Sequence, residues 1–199
     1  MLTLVCFISC LAAVQAAVPS FGACPNVRGM TNFNKNSYLG VWYEYSNVFE
    51  IFQIGSSCVR ATYTDLGTNV GVLNEQVNDL TGYGNITGTA RPAALSGEFI
   101  VGFSSVPFAS GGTEPNYRVV DTDYTSYAVV YSCSPFFFFM KKESLWLLTR
   151  QQTPQQYVVD VGYSKMRALG LPVAALEKTP QTNCIRLPLP STTTATAGK

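Results

Sequence analysis

The chain has 199 residues, enough for one domain with a large enclosed core. A formal net charge of +1 with scattered basic residues leaves no electrostatic footprint for nucleic acid. There is no histidine, which removes imidazole acid–base chemistry and the usual ligands of zinc and haem iron. Charged residues are 13% of the chain, about half the usual share, and aromatics another 13%, so much apolar surface must be buried or must line a cavity.

Residues 1–16 read as a secretory signal peptide. Leu2 to Val14 is almost wholly apolar, and Val14-Gln15-Ala16 places small residues before a cut at Ala17. The alternative, a membrane anchor, falls short of the ~20 apolar residues a spanning helix needs. Residues 17–33 are irregular, punctuated by Pro19, Gly22, Pro25 and Gly29. Residues 34–39 predict a short helical turn ahead of a strand over 40–46. In that strand Trp42 and Tyr43 point to opposite faces. The apolar run from Val48 to Ile54, with Phe49, Ile51 and Phe52, reads as a loop folded over something.

Seven more short strands follow, at 58–65, 70–78, 84–91, 98–103, 117–121, 127–132 and 144–149, separated by turn signals. Short strands at regular spacing predict a sandwich or barrel. A helix comes only after them. Thr153 is its expected N-cap and Pro154 its first residue, with a stripe at Val159, Tyr163, Met166 and Leu169, ended by Gly170 and Pro172. Residues 17–190 form the domain, and the Thr- and Ala-rich tail 191–199 is expected to be disordered.

Cleavage of the signal removes Cys6 and Cys10. Cys24, Cys58, Cys133 and Cys184 remain, which predicts two disulfides with three possible pairings. With no Cys-x-x-Cys spacing and no histidine, no metal site is expected.

The segment Gly40-Val41-Trp42-Tyr43, the segment from Val120 to Cys133 containing Thr122-Asp123-Tyr124, and the isolated Arg150 resemble the three signatures of the lipocalin family, in order. The resemblance covers essentially the whole mature chain. Within the family, Asn36-Ser37-Tyr38-Leu39-Gly40-Val41-Trp42-Tyr43 and Cys58-Val59-Arg60 look most like apolipoprotein D, insect bilin-binding proteins and crustacyanins. It implies an all-β fold: an eight-stranded antiparallel up-and-down barrel with one C-terminal α-helix packed outside. It implies Gly40, Trp42, Thr122, Asp123, Tyr124 and Arg150 as structural signature residues, the arginine lying over the tryptophan at the closed end. It also implies the pairings Cys24–Cys133 and Cys58–Cys184.

Strand parity, carried over from related proteins, turns Val59, Ala61 and Tyr63 inward, then Val70, Val72 and Asn74, then Phe99, Val101 and Phe103. Tyr117 and Val119 follow, then Ala128 and Val130, then Trp146 and Leu148. Such a lining fits a calyx for a flat or elongated apolar molecule. The plainer alternative is that these residues only pack on one another.

The resemblance therefore implies a secreted carrier of a small hydrophobic ligand: a carotenoid, bilin, retinoid, fatty acid or sterol. No cofactor is expected beyond a possible bound carotenoid, bilin or retinoid chromophore. The first rival is a crustacyanin-type pigment subunit, and the second a lipocalin enzyme such as an isomerase, whose mark is a free cavity thiol. Enzyme chemistry finds little support, because Cys58 matches a disulfide position and Asp121 and Asp123 sit at a turn. Amine-binding members use buried carboxylates, and none is evident. Phe136, Phe137, Phe138 and Phe139 fall at the expected open mouth, either extending a strand or contacting membrane, lipoprotein or another subunit; the chain is expected as a monomer or an oligomer. Asn85-Ile86-Thr87 is the one glycosylation sequon, expected on the outer face with Ile86 inward.

Overall fold

Strand pairing runs without a break around the molecule. The strands are β2 (Gly40–Val48), β3 (Ser56–Leu66), β4 (Asn69–Asn78), β5 (Gly82–Pro92), β6 (Glu98–Gly102), β7 (Tyr117–Thr122), β8 (Tyr127–Phe136) and β9 (Met140–Thr149). Each pairs antiparallel with the next, and β9 returns to β2 to close an eight-stranded barrel. A barrel has no exposed edge, so its ladder hydrogen bonds are satisfied within the chain. The computed structural model describes residues 20–48, 53–103, 112–136 and 139–189. The expected signal peptide and tail lie outside the described residues, as do Phe49, Ile51, Phe52, Phe137 and Phe138.

Alternation along the strands sorts the apolar residues into two cores. The inner one contains Trp42, Tyr63, Val72, Phe99, Val130 and Leu148. The outer one forms where Val129, Tyr131, Leu145 and Leu147 meet the helix α2 (Gln156–Ala168) through Val158, Val159 and Met166. β8 and β9 run further toward the mouth than the sequence suggests, so Phe136 ends one strand and Met140 begins the next. A two-residue strand, β1 (Ser20–Phe21), adds to the outer side of β9.

The helix departs from expectation at both ends. Thr153 and Pro154 precede it; the cap is Gln155, whose backbone is extended and whose side chain makes no capping bond. At the other end Leu169 is 46% exposed and does not continue the stripe. Gly170, with φ +67°, reverses the chain there, and the Leu171 N–H donates to the Met166 carbonyl at 3.0 Å. Leu171 is therefore the residue that is buried.

Past the helix, the C-terminal strap fills a seam. β2 pairs with β3 only from Gly40–Tyr63 to Tyr43–Arg60. Beyond that point β10 (Leu176–Lys178) lies on β2 instead, and the Cys58 N–H donates to the Pro180 carbonyl. The Gln181 side-chain amide donates to the carbonyls of Glu44 and Val59, at 2.9 and 2.8 Å, and so joins the two parted strands. The disulfides are Cys24–Cys133 and Cys58–Cys184, the pairings implied by the resemblance. They span 109 and 126 residues, for which loop entropy alone gives ~4–5 kcal/mol each as an upper figure.

On the outer face beneath this strap, Arg60 and Glu75 form a two-pronged pair at 2.7 and 2.9 Å, with both side chains buried. Arg60 also donates to the Pro188 carbonyl, and the Tyr83 hydroxyl donates to Glu75. Breaking a buried pair strands a charge away from water. Glu75→Ala is expected to cost about 3–5 kcal/mol in urea unfolding, and a loss below 1 kcal/mol would contradict this role.

Candidate ligand-binding site

The closed end is built first. Asn34 caps the single-turn helix α1 (Lys35–Tyr38) by accepting from the Ser37 N–H, and the chain then enters β2 at Gly40. Gly40 has φ +96°, a backbone that side chains disfavour, and a Cβ there would lie 3.4 Å from the Arg150 guanidinium. That guanidinium sits 3.8 Å above the Trp42 ring. It also donates to four backbone carbonyls: Val41 and Tyr124 at 2.9 Å, Ser37 at 3.0 Å and Tyr38 at 3.3 Å. The Trp42 indole N–H donates to the Tyr38 carbonyl at 2.8 Å, so ring and cation hold the same turn.

The turn from Thr122 to Tyr127 completes the closed end. Tyr124 has φ +66°, and its amide donates to the Thr122 hydroxyl at 2.9 Å. The Asp123 carboxylate accepts the amides of Thr125, Ser126 and Tyr127 at 3.0, 2.7 and 3.1 Å. Partial burial works against its charge, but the hydrogen bonds from Ser126 and these amides hold it below the usual carboxylate range. Thr122, Asp123, Tyr124, Trp42, Gly40 and Arg150 are thus one structural assembly.

Above it the lumen is apolar. Tyr63, Val70, Val72, Phe99, Val119, Ala128, Val130 and Leu148 are buried in the inner core. Ala61, Val101, Phe103, Tyr117 and Trp146 pack against them but remain half-exposed. Asn74 is also half-exposed, on the same parity and paired in register with Ala61. The lower barrel is therefore filled, while the middle keeps accessible surface. A cavity of about 20 Å3, lined by Phe33, Tyr38, Tyr63, Phe99 and Tyr117, remains near the floor.

Val59 lies beside an irregularity in β3. Cys58 has φ +56° and the register shifts between Ser57 and Arg60. Val59 is buried outside the inner core and lines a cleft of about 850 Å3 where β2 and β3 part. Glu44, Asn47, Gln53 and the strap residue Thr179 share this cleft.

Glu44 corrects the expectation that no buried carboxylate exists. It is 4% exposed and accepts from the Thr179 hydroxyl at 2.6 Å and the Gln53 amide at 3.1 Å. The sequence carried the signal, since Glu44 is two residues beyond the inward Trp42 and shares its face. Asn47 is turned to the same side by a bulge between Glu44 and Ser46, and its amide donates to Gln53. No sequence pattern announces that bulge.

At the open end, Phe139, Ile54 and Leu80 are 78%, 58% and 95% exposed. Asn85 is exposed on β5, and Ile86 alternates toward the lumen side. Among the described residues no group of acidic or cysteine side chains is arranged to hold a metal.

Comparison with known proteins fits this geometry. A family model described as "Lipocalin-like domain" matches residues 33–181. The chain belongs to the lipocalin family. It is 31% identical over 172 residues to apolipoprotein D of Cavia porcellus, covering 82% of this chain and 85% of that one. It is 34% identical over 125 residues to the bilin-binding protein of Pieris brassicae, covering 62% and 64%. Lobster apocrustacyanin A1 superposes with a TM-score of 0.64 at 21% identity, covering 80% of this chain and 93% of that one. This last likeness is one of fold.

Two outcomes follow for the floor. Arg150→Ala removes the indole contact and frees four carbonyls, so it should lower unfolding free energy by on the order of 3 kcal/mol while the folded protein keeps its ligand affinity. An affinity loss with unchanged stability would contradict that division. Burial pushes the Tyr63 phenol up to about 12 and raises those of Tyr38 and Tyr117 as well. In the unfolded chain these groups ionise near pH 10, so stability they contribute is intact below pH ~10 and lost as pH rises toward 12. Melting curves should therefore fall steeply above pH 10, less so for Tyr63→Phe.

Proposed function

We propose that this protein is a secreted carrier that holds one small hydrophobic molecule in its barrel. The observation that supports this most strongly is the contrast within the lumen. Its floor is packed, yet Ala61, Val101, Phe103 and Trp146 are half-exposed above it. A cleft of about 850 Å3 opens where β2 and β3 part, and Asn47 on its lining is in register with Trp146. The ligand is of the retinoid, carotenoid, bilin, sterol or fatty-acid class, since the wall offers apolar and aromatic contact with few polar groups.

Similarity to apolipoprotein D and the bilin-binding protein supports a binding role. The two long-range disulfides support an oxidising, extracellular destination. They also engage every cysteine among the described residues, which leaves no thiol there for isomerase-type chemistry. The exposure of Phe139 and Ile54 supports contact with a membrane, a lipoprotein or another subunit. Asn85 is open to receive a glycan.

Trp146 provides the test. It and Trp42 are the only tryptophans, and Trp42 is fully buried in the floor. A retinoid or carotenoid should quench the emission saturably, near one ligand per chain, and Trp146→Phe should remove most of that quenching. Trp146→Ala should also weaken binding, by on the order of 1 kcal/mol beyond the area lost. No saturable binding from any of the five ligand classes at micromolar concentration would sink the carrier reading. Visible absorbance of the native protein would separate a pigment from a colourless lipid carrier.

A further inference from the structure

Three phenols meet inside the barrel: Tyr38 from α1, Tyr63 from β3 and Tyr117 from β7. The Tyr117 hydroxyl lies 2.8 Å from that of Tyr38 and 2.7 Å from that of Tyr63. In the closed order of strands, β3 and β7 are four apart out of eight, so they face each other across the lumen. The Tyr63–Tyr117 contact is thus a crossbar. Beneath it lie Trp42, Phe33 and the small cavity, and above it the half-exposed wall.

The hydrogen-bond count for this cluster does not close. Each phenol brings one O–H donor. Three donors stand against two hydroxyl–hydroxyl contacts, and each contact consumes one. Whichever way the chain of bonds runs, one O–H is left without an acceptor among the described residues. A buried donor left unmade is costly, so this one is poised to take an acceptor from elsewhere. Tyr117, the central member, is also the one that keeps accessible surface.

We propose that the crossbar is the true floor of the ligand site and selects molecules whose leading end carries an oxygen acceptor. That end is a carbonyl, carboxylate or hydroxyl, and it accepts the unspent phenolic proton. This rests on the carrier reading and adds to it the polarity and orientation of the cargo. A pure hydrocarbon fills the same apolar wall but leaves the donor stranded, so the site discriminates against it. The competing acceptor is a single water, for which a cavity of about 20 Å3 has room.

Two probes that differ at one end separate these outcomes: retinaldehyde, and the hydrocarbon in which a methyl replaces its aldehyde. The wild-type protein should bind the aldehyde about tenfold more tightly. Its C=O stretch should fall to lower frequency on binding, the mark of an accepted hydrogen bond. Tyr117→Phe and Tyr63→Phe keep the rings, and thermal melts show whether each variant folds. In a folded variant the preference should shrink toward unity, while hydrocarbon affinity changes less than twofold. Equal affinities in the wild type would overturn the proposal, as would a preference and carbonyl frequency untouched by Tyr117→Phe. The second result would mean that the aldehyde is held elsewhere and a water takes the proton. If neither probe binds, this proposal falls, while the carrier reading still stands or falls on the five ligand classes.

Discussion

Everything in this molecule depends on one strand having three partners. β2 pairs with β3 along its first half, with β9 from Tyr43 to Asn47, and with β10 on the edge that β3 leaves. The barrel closes through β2, and the seam opens beside it. A strand that serves three neighbours must bend, and the bulge between Glu44 and Ser46 supplies the bend. The polar cluster of Glu44, Asn47, Gln53 and Thr179 sits where β2 and β3 part. The disulfide from Cys58 to Cys184 and the Gln181 amide hold that place together.

Most of the fold was legible because it rests on local rules. Alternation and turn residues located all eight strands, and the inward parity of Tyr63, Phe99, Val130 and Leu148 holds in the inner core. The floor was legible because Trp42, Thr122-Asp123-Tyr124 and Arg150 occur as spaced signatures. Where reading failed, a long-range or irregular feature had intervened. Leu169 follows the helical period, yet Gly170 turns the chain one residue later and gives the buried seat to Leu171. The cap moved to Gln155, because a Thr-Pro pair supplies a start signal without fixing where tertiary packing begins the helix.

The site shows the same split. Apolar lining is a property of parity and so visible in the sequence. Polar features of the lumen are relations between distant residues: Tyr38 and Tyr117 are 79 positions apart, and Glu44 and Thr179 are 135 apart. Only the fold brings them together. The result is a largely apolar lumen with few polar groups: a row of phenols across its base, Asn74, and the Glu44 carboxylate beside Asn47 in its wall. Such sparse polar groups orient a ligand more than they add to its affinity.

The central claim is that the lumen holds a small apolar molecule, and native mass spectrometry of the natively purified protein tests it most directly. The spectrum should show a fraction carrying one added mass of a few hundred daltons, released by organic solvent and identified as an apolar compound with an oxygen at one end. A single bare protein mass, with nothing extracted and nothing taken up on incubation with retinoids, carotenoids, bilins, sterols or fatty acids, would contradict the account.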